Sequence, residues 1–344
     1  MIKKGLIFAA FAAILIGCSN QPIEFEDYTE TVYYPIQYPV RTLVLGESRI
    51  DNSIDLRKEF SIGVCVGGKY TNEKDITVKY KVDEGLLDGV TNVEAMPTAY
   101  YLIKNKGEVV IPKGDFNGNV IVKLTDAFFQ DKEAHLGKYV IPLVIENVSS
   151  GEFLCGEVAE GISEPNPHVG SDWLVAPRHF TLFGVKYVNL FDGDFFRFGK
   201  TTKNGTDEKV YNEEILEHNP TINMVTTAEK QVSYVHTINS QSYNILVNYT
   251  TADKGCGDIT FDTPEDATYT ISGTGKFYDK TTDFAKEHGS WLTNPNEVGS
   301  EYPHLTLVLD YDLTIGADTY EYADTLVFRN NKVVYQEFTP VIAK

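Results

Sequence analysis

An all-β fold follows from three features of the chain. Apolar and polar residues alternate over short runs, glycine and asparagine punctuate those runs, and no long amphipathic 3.6-residue stripe appears. The 344 residues divide on this reading into an N-terminal antiparallel, Ig-like β-sandwich at 31–147, a linker at 148–178 and a C-terminal lipocalin-like barrel or curled β-sandwich at 179–344. The linker is where the two domains are expected to separate.

In the first domain Ile76, Val78, Tyr80 and Val82 alternate with Thr77, Lys79 and Lys81, which buries one face and wets the other. Val120, Val122 and Leu124 repeat the pattern. The stretch VVIPKGDFNGNVIVKL reads as strand, turn, strand. RTLVLG and KEFSIGVCVGG supply further strands, and KYVIPLVIENV reads as a closing one. Thr91–Lys104, with Pro97, is expected to hold a short helix. About six or seven short strands at this spacing make a sandwich. The linker SSGEFLCGEVAEGISEPNPHVGSDWLVAP has no sustained period.

Strand patterns resume in FTLFGVKYVNLFDGDFFRFGK, with a turn at Asp192-Gly193. Tyr243, Ile245, Val247 and Tyr249 share one register, as do Tyr269 and Ile271. Leu305, Leu307, Leu309, Tyr311, Leu313 and Ile315 hold one register for eleven residues. LVFRNNKVVYQEF reads as a hairpin turning at Asn330-Asn331. These longer strands favour a curled sheet or barrel.

The N-terminus is of another kind. After Lys3 and Lys4 the chain is apolar from Gly5 to Gly17, which is too short for a stable anchor and has the shape of a signal-peptide core. Leu15-Ile16-Gly17 before Cys18 resembles the bacterial lipobox. The resemblance implies acylation of the Cys18 thiol, cleavage of residues 1–17 and an acidic tether at 18–30; a plain signal peptide with a chance cysteine is the alternative. Cys65, Cys155 and Cys256 remain, far too widely spaced for a zinc motif and allowing at most one internal disulfide. The net charge of −19 at pH 7, with no basic cluster, argues against a nucleic-acid partner and against electrostatic docking on anionic lipid. Membrane attachment would then fall to the acyl chains.

The order of lipobox, acidic tether, sandwich, DWLVAP linker and FTLFGVKYVNLFDGDFFRFG resembles a group of Sus-type outer-membrane lipoproteins of gut Bacteroidota. In the first domain the resemblance rests on YYLIKNKGEVVIPKGDFNGNVIVKLTD. It implies an N-terminal domain of unknown function, a second β-domain, and an accessory part in polysaccharide utilisation: glycan capture at the cell exterior beside an outer-membrane importer. The acids after the cysteine begin only at Glu24, Glu26 and Asp27, so the leaflet stays open.

Catalytic signatures are missing. No histidine pair, Gly-x-Ser-x-Gly, phosphate loop or Cys-x-x-Cys occurs, and no cofactor or metal site is expected. Asp192/Asp194 and Asp310/Asp312 are carboxylate pairs at strand spacing, more simply read as a turn and a wet strand face. A non-catalytic glycan-binding protein is therefore the leading expectation. Its alternatives are a structural or adhesive surface protein that binds another protein, and a glycoside hydrolase with an unrecognised carboxylate pair. Glycan sites combine exposed rings with a few placed polar groups. Trp291, in the loop-like EHGSWLTNPNEVGSEYPH, with Asn294, Asn296 and Tyr302, is the expected stacking platform. Trp173 in the linker is expected to plug the domain interface and is a further candidate. Labelled palmitate should mark the wild-type protein and not Cys18→Ser; equal labelling of both would remove the anchor.

Overall fold

The computed structural model describes residues 28–48, 50–291 and 302–343, without the side chains of Asp207 and Glu208. Cys18, Asn294 and Asn296 lie outside the described residues. The protein is all-β, a sandwich joined to a barrel. Among the described residues the longest helix is Asp283–His288, and none is long and apolar enough to cross a membrane.

The sandwich strands are β1 (Thr31–Tyr33), β2 (Pro39–Val44), β3 (Glu59–Gly67), β4 (Ile76–Val82), β5 (Glu94–Ala95), β6 (Tyr101–Ile103), β7 (Glu108–Ile111), β8 (Asn117–Leu124), β9 (Tyr139–Val148) and β10 (Glu152–Phe153). One sheet runs β10-β1-β3-β8-β6. The alternating apolar sets predicted from sequence face inward at Ile76, Val78, Tyr80, Val120, Val122 and Leu124, which are buried, but not at Val82, which is exposed at the end of its strand. Thr91–Lys104 holds β5, a single 3-10 turn at Thr98–Tyr100 and β6. Beyond Val148 the linker is structured. β10 extends the first sheet, and β11 (Glu157–Val158) pairs with β12 (Trp173–Val175).

The second sheet shows where the domains actually join. β13 (Phe180–Val188) lies between β2, to which it runs parallel, and β9, to which it is antiparallel. KYVIPLVIENV is thus an interior strand with β13 on one side and β4 on the other. The sheet order is β25-β2-β13-β9-β4-β7, where β25 (Gln336–Glu337) comes from the far end of the chain. The tail after β25 continues over the sandwich. Thr91 N donates to Val341 O at 2.8 Å and Ala343 N to Gly89 O at 2.7 Å.

Two sequence expectations are corrected here. The second domain does not begin at 179, because Phe180–Val188 buries Leu182, Val185 and Tyr187 in the sandwich; the chain crosses over at 189–192. Asn330-Asn331 is no hairpin either, since the strand before it is a barrel strand and the one after it belongs to the sandwich. The barrel is therefore inserted between β13 and β25. The physical reason is common to both. Edge groups of β2 need hydrogen-bond partners, and segments remote in sequence supply them.

The barrel consists of β14 (Gly193–Lys203), β15 (Thr206–Tyr211), β16 (Thr221–Ala228), β17 (Gln231–Ile238), β18 (Gln241–Tyr249), β19 (Cys256–Asp262), β20 (Tyr269–Tyr278), β23 (Thr306–Ile315) and β24 (Asp318–Asn330). A separate ribbon pairs β21 (Ser290–Trp291) with β22 (Tyr302–Pro303). Ladders run from β14 through β16, β17, β18, β19, β20 and β23 to β24, which closes back on β14 over ten residue pairs. Eight strands thus make the barrel wall, with β15 a flap on β14. The eleven-residue register is the barrel-facing side of β23: Leu305, Leu307, Leu309, Tyr311 and Leu313 are buried.

The domains are clamped by the loop after β2. The Glu47 carboxylate bonds His304 Nδ1 and accepts from Leu305 N at 3.0 Å, while its backbone carbonyl accepts from Asn331 Nδ2 at 3.0 Å. A protease site inserted within 148–178 tests this arrangement. The cut pieces should stay together on gel filtration, and residues 31–178 alone should show no cooperative urea transition. Two independently folded fragments would contradict the shared sheet.

Candidate functional site

The expected platform at Trp291 is not there. Trp291 is 7% exposed, donates from Nε1 to Phe328 O at 2.9 Å, meets Phe196 edge-to-face at 5.3 Å and lies 4.9 Å from His304. The glycine- and asparagine-rich surroundings suggested a loop tip, yet the indole fills the gap between the β21–β22 ribbon and the barrel wall. Tyr302, 43% exposed, sits opposite Trp291 in that ribbon. Trp173 is half-buried within the linker's own fold, where Nε1 donates to Asn166 O at 2.8 Å. Its ring covers Gly156, where a Cβ would meet ring carbon Cε3 at 2.9 Å.

The carboxylate pairs are structural too. Asp192 accepts from the Thr226 amide and hydroxyl, both at 2.8 Å, and burial pushes its carboxyl up. Asp194 accepts from Asn223 Nδ2 at 2.8 Å and meets Lys332 Nζ at 3.0 Å. Asp310 and Asp312 lie on the outer face of β23, Asp312 opposite Glu321. No cluster of possible metal ligands occurs among the described residues. Cys65, Cys155 and Cys256 are all free thiols.

The barrel carries chemistry where sequence reasoning did not look. β14 is too long for one neighbour on its β16 side. Gly193–Phe196 pairs with β16, and Gly199–Lys203 pairs with β15. The second half of β16 turns away to β17, reaching only as far as Ser233. From Tyr234 to Ile238, β17 has β18 on one side and no strand on the other among the described residues. The wall is therefore open between β15 and β17. A cavity of about 460 Å³ occupies the opening, lined by Arg197, Thr201, Lys209, Tyr211, His236, Thr237, Ile238, Asn239, Tyr320 and Tyr322.

Behind the opening the barrel interior turns polar. In the inward register of β14, Phe195, Arg197, Gly199 and Thr201 stand opposite Phe328, Leu326, Asp324 and Tyr322 of β24. Arg197 Nε donates to Asp324 Oδ1 at 2.9 Å and Nη2 to Thr201 Oγ1 at 2.9 Å. Its guanidinium lies 4.1 Å from the Tyr211 ring centroid and 5.5 Å from that of Tyr322, a cation–π arrangement that desolvation strengthens. Room for the pair comes from Gly199, at φ +134°, where a Cβ would meet Ala323 O at 2.0 Å and Asp324 Oδ1 at 2.8 Å.

A second chain of polar groups runs alongside. Tyr234 donates its hydroxyl to Tyr311 at 2.7 Å, and the Tyr311 hydroxyl is hydrogen-bonded to His236 Nε2 at 2.5 Å. Burial, then the Arg197 charge, pull the His236 pKa down to about 3, so the ring is neutral. His236 stacks on Tyr322 at 4.3 Å and Tyr322 on Tyr311 at 4.8 Å. Asp324 is 2% exposed, and its Oδ2 has no hydrogen-bond partner among the described residues. Burial pushes its carboxyl up to about 6 despite Arg197. For Arg197 burial works most strongly against the charge, but the attraction and hydrogen bond of Asp324, with Tyr211 and Tyr311, together outweigh it.

Comparison with known proteins bears on the architecture. A family model described as a "-like, N-terminal domain" matches residues 27–152. No curated protein matches the chain. A crystal structure of unknown function from Bacteroides ovatus is similar over 92% of this chain and 99% of its own, at 28% identity and a TM-score of 0.76. A multidomain protein including DUF1735, also from Bacteroides ovatus, covers 90% of this chain and 95% of its own at 12% identity and a TM-score of 0.42. The match at 28% identity fits a Bacteroidota protein, and the family model covers the N-terminal part of the chain.

The buried pair gives a pH-dependent expectation. Arg197→Met leaves the Asp324 carboxylate without its cation, and breaking a buried pair this way costs about 3–5 kcal/mol. The folded pKa of Asp324 lies above the unfolded value of about 3.9. Its contribution to stability is therefore complete below that value and lost as pH rises through about 6. Urea midpoints of variant and wild type should differ most at pH 8 and converge towards pH 5. A gap that widens in acid would contradict the pairing.

Proposed function

We propose that this protein is a lipid-anchored, non-catalytic glycan-binding protein of the outer membrane, facing the cell exterior and assisting polysaccharide capture or uptake beside an importer. The observation that carries this reading is the side opening of the barrel. Its lining joins tyrosine rings to the hydroxyls of Thr201 and Thr237, the amide of Asn239 and the cations of Arg197 and Lys209. A few convergent polar groups among aromatic rings is the composition expected of a small-molecule or sugar site. The polar residues behind the lining are already bonded to one another, so the wall stands preformed and loses little entropy when a ligand arrives.

The site so proposed replaces the Trp291 loop. Tyr211 is its most accessible ring, half-buried at the end of the β15 flap. A hydrolase reading finds less support, because no aspartate or glutamate among the described residues lines the cavity and glycosidic bond cleavage by the usual route needs two carboxyl groups facing one bond. A protein-binding reading has one observation of its own. A groove of about 400 Å³ on the sandwich is lined mainly by apolar groups, with Ile50, Val334 and Tyr335 exposed at 78%, 65% and 63%.

A glycan array probed with the mature protein tests the proposal. Wild type should bind a restricted set of glycans at micromolar to millimolar strength, and Tyr211→Ala should lose about tenfold, equivalent to 1.4 kcal/mol, while still melting in one cooperative transition. A blank array would remove the glycan reading and favour a protein partner at the apolar groove.

A further inference from the structure

Charge bookkeeping at the barrel opening goes further than sugar binding in general. The chain carries 49 aspartates and glutamates against 30 lysines and arginines, so a patch of average composition would be acidic. The opening is the reverse. Among the described residues its lining has two cations and no carboxylate. The groups that face it can be balanced one by one. Arg197 is matched by Asp324 behind it, and the low pKa of His236 keeps that ring neutral. At the rim Lys203 is matched by Asp318 at 2.9 Å. Lys209 remains. Its Nζ lies 4.8 Å from the Tyr211 centroid, against the same ring that the Arg197 guanidinium covers at 4.1 Å, and no described carboxylate pairs with it.

We infer that the opening selects acidic sugars, oligosaccharides whose carboxylate or sulfate meets Lys209 while their hydroxyls are read by Thr201, Thr237 and Asn239. This inference rests on the glycan-binding reading. A positive site walled by low-dielectric protein focuses field and favours an anion, and in a chain of net charge −19 a cation left without an acid on the wall stands out from its surroundings. The donors are also of the right kind. Lys209 is a point charge on a flexible stem, able to follow an anion whose position on the sugar ring varies. A neutral sugar would gain a hydrogen bond from it but not the charge attraction.

The experiment is an array printed with neutral glycans (starch, xylan, mannan), uronate glycans (pectin, alginate, hyaluronan) and sulfated glycans (chondroitin sulfate, heparin), probed with the mature protein and with Lys209→Gln. Hits should fall in the acidic sets. For the best hit, calorimetry should give a loss of about fivefold or more in Lys209→Gln, about 1 kcal/mol, and weakening as sodium chloride is raised. The set that responds, uronate or sulfate, identifies the anion. Hits among neutral glycans that Lys209→Gln leaves unchanged would overturn this inference and leave the glycan reading standing. Complete displacement of the hit by equimolar citrate would also overturn it, because an anion alone would then suffice. A blank array overturns both.

Discussion

The pairing of strand β2 is the constraint on which the rest of the architecture depends. Pro39–Val44 takes β13 as its parallel neighbour on one side and β25 as its antiparallel neighbour on the other. Both partners lie more than a hundred residues further along the chain. An unpaired pair of edges on so apolar a strand would be an aggregation hazard. Satisfying them draws the chain back onto the sandwich twice, once before the barrel and once after it. The domain interface follows from that return. Leu45 N donates to Val188 O at 3.0 Å just beyond the ladder, and the Glu47 loop is carried on against His304 and Asn331. Contacts of such sequence separation cost loop-closure entropy before they stabilise anything, and they make for slow folding.

A second constraint operates inside the barrel. Closure by β24 on β14 brings Arg197 and Asp324 together in the inward register, where neither could remain charged alone. The two rings that flank the guanidinium, the threonine that accepts from it and the glycine that makes room for it all serve one buried ion pair. Such a pair is weak evidence for stability, since desolvation offsets much of the attraction. Its effect here is positional. It holds the guanidinium against Tyr211 on the flap and so fixes one side of the opening.

The elements legible in the sequence were those whose partners are local in pattern. Leu305 to Leu313 and Ile76 to Tyr80 could be read as half-buried strands because alternation is a property of each strand by itself. Which strands pair is another matter. Nothing in FTLFGVKYV distinguishes a barrel strand from a sandwich strand, since both bury the same alternating set. The assignment rests on a register with Val40–Val44 far upstream. Trp291 misled for a related reason. Its neighbours have loop composition, and burial came from Phe196 and Phe328, distant in sequence. The polar interior did leave a trace. Arg197 falls in register with Phe195, Asp324 with Tyr322 and Leu326, and His236 with Tyr234. Charged or titratable residues on an apolar register mark either an error in the pattern or a buried network, and here they mark the network.

The place where the chain enters and leaves the barrel has a consequence of its own. Asp194 and Asn330 are paired neighbours on adjacent strands, so the insert begins and ends at nearly one point. A module attached to its host through such a narrow neck is a cassette. The sandwich needs only the two returning strands, and any closed barrel whose first and last strands lie side by side would present them correctly. The architecture is thus one in which the barrel half can be exchanged or permuted while the sandwich half stays as it is.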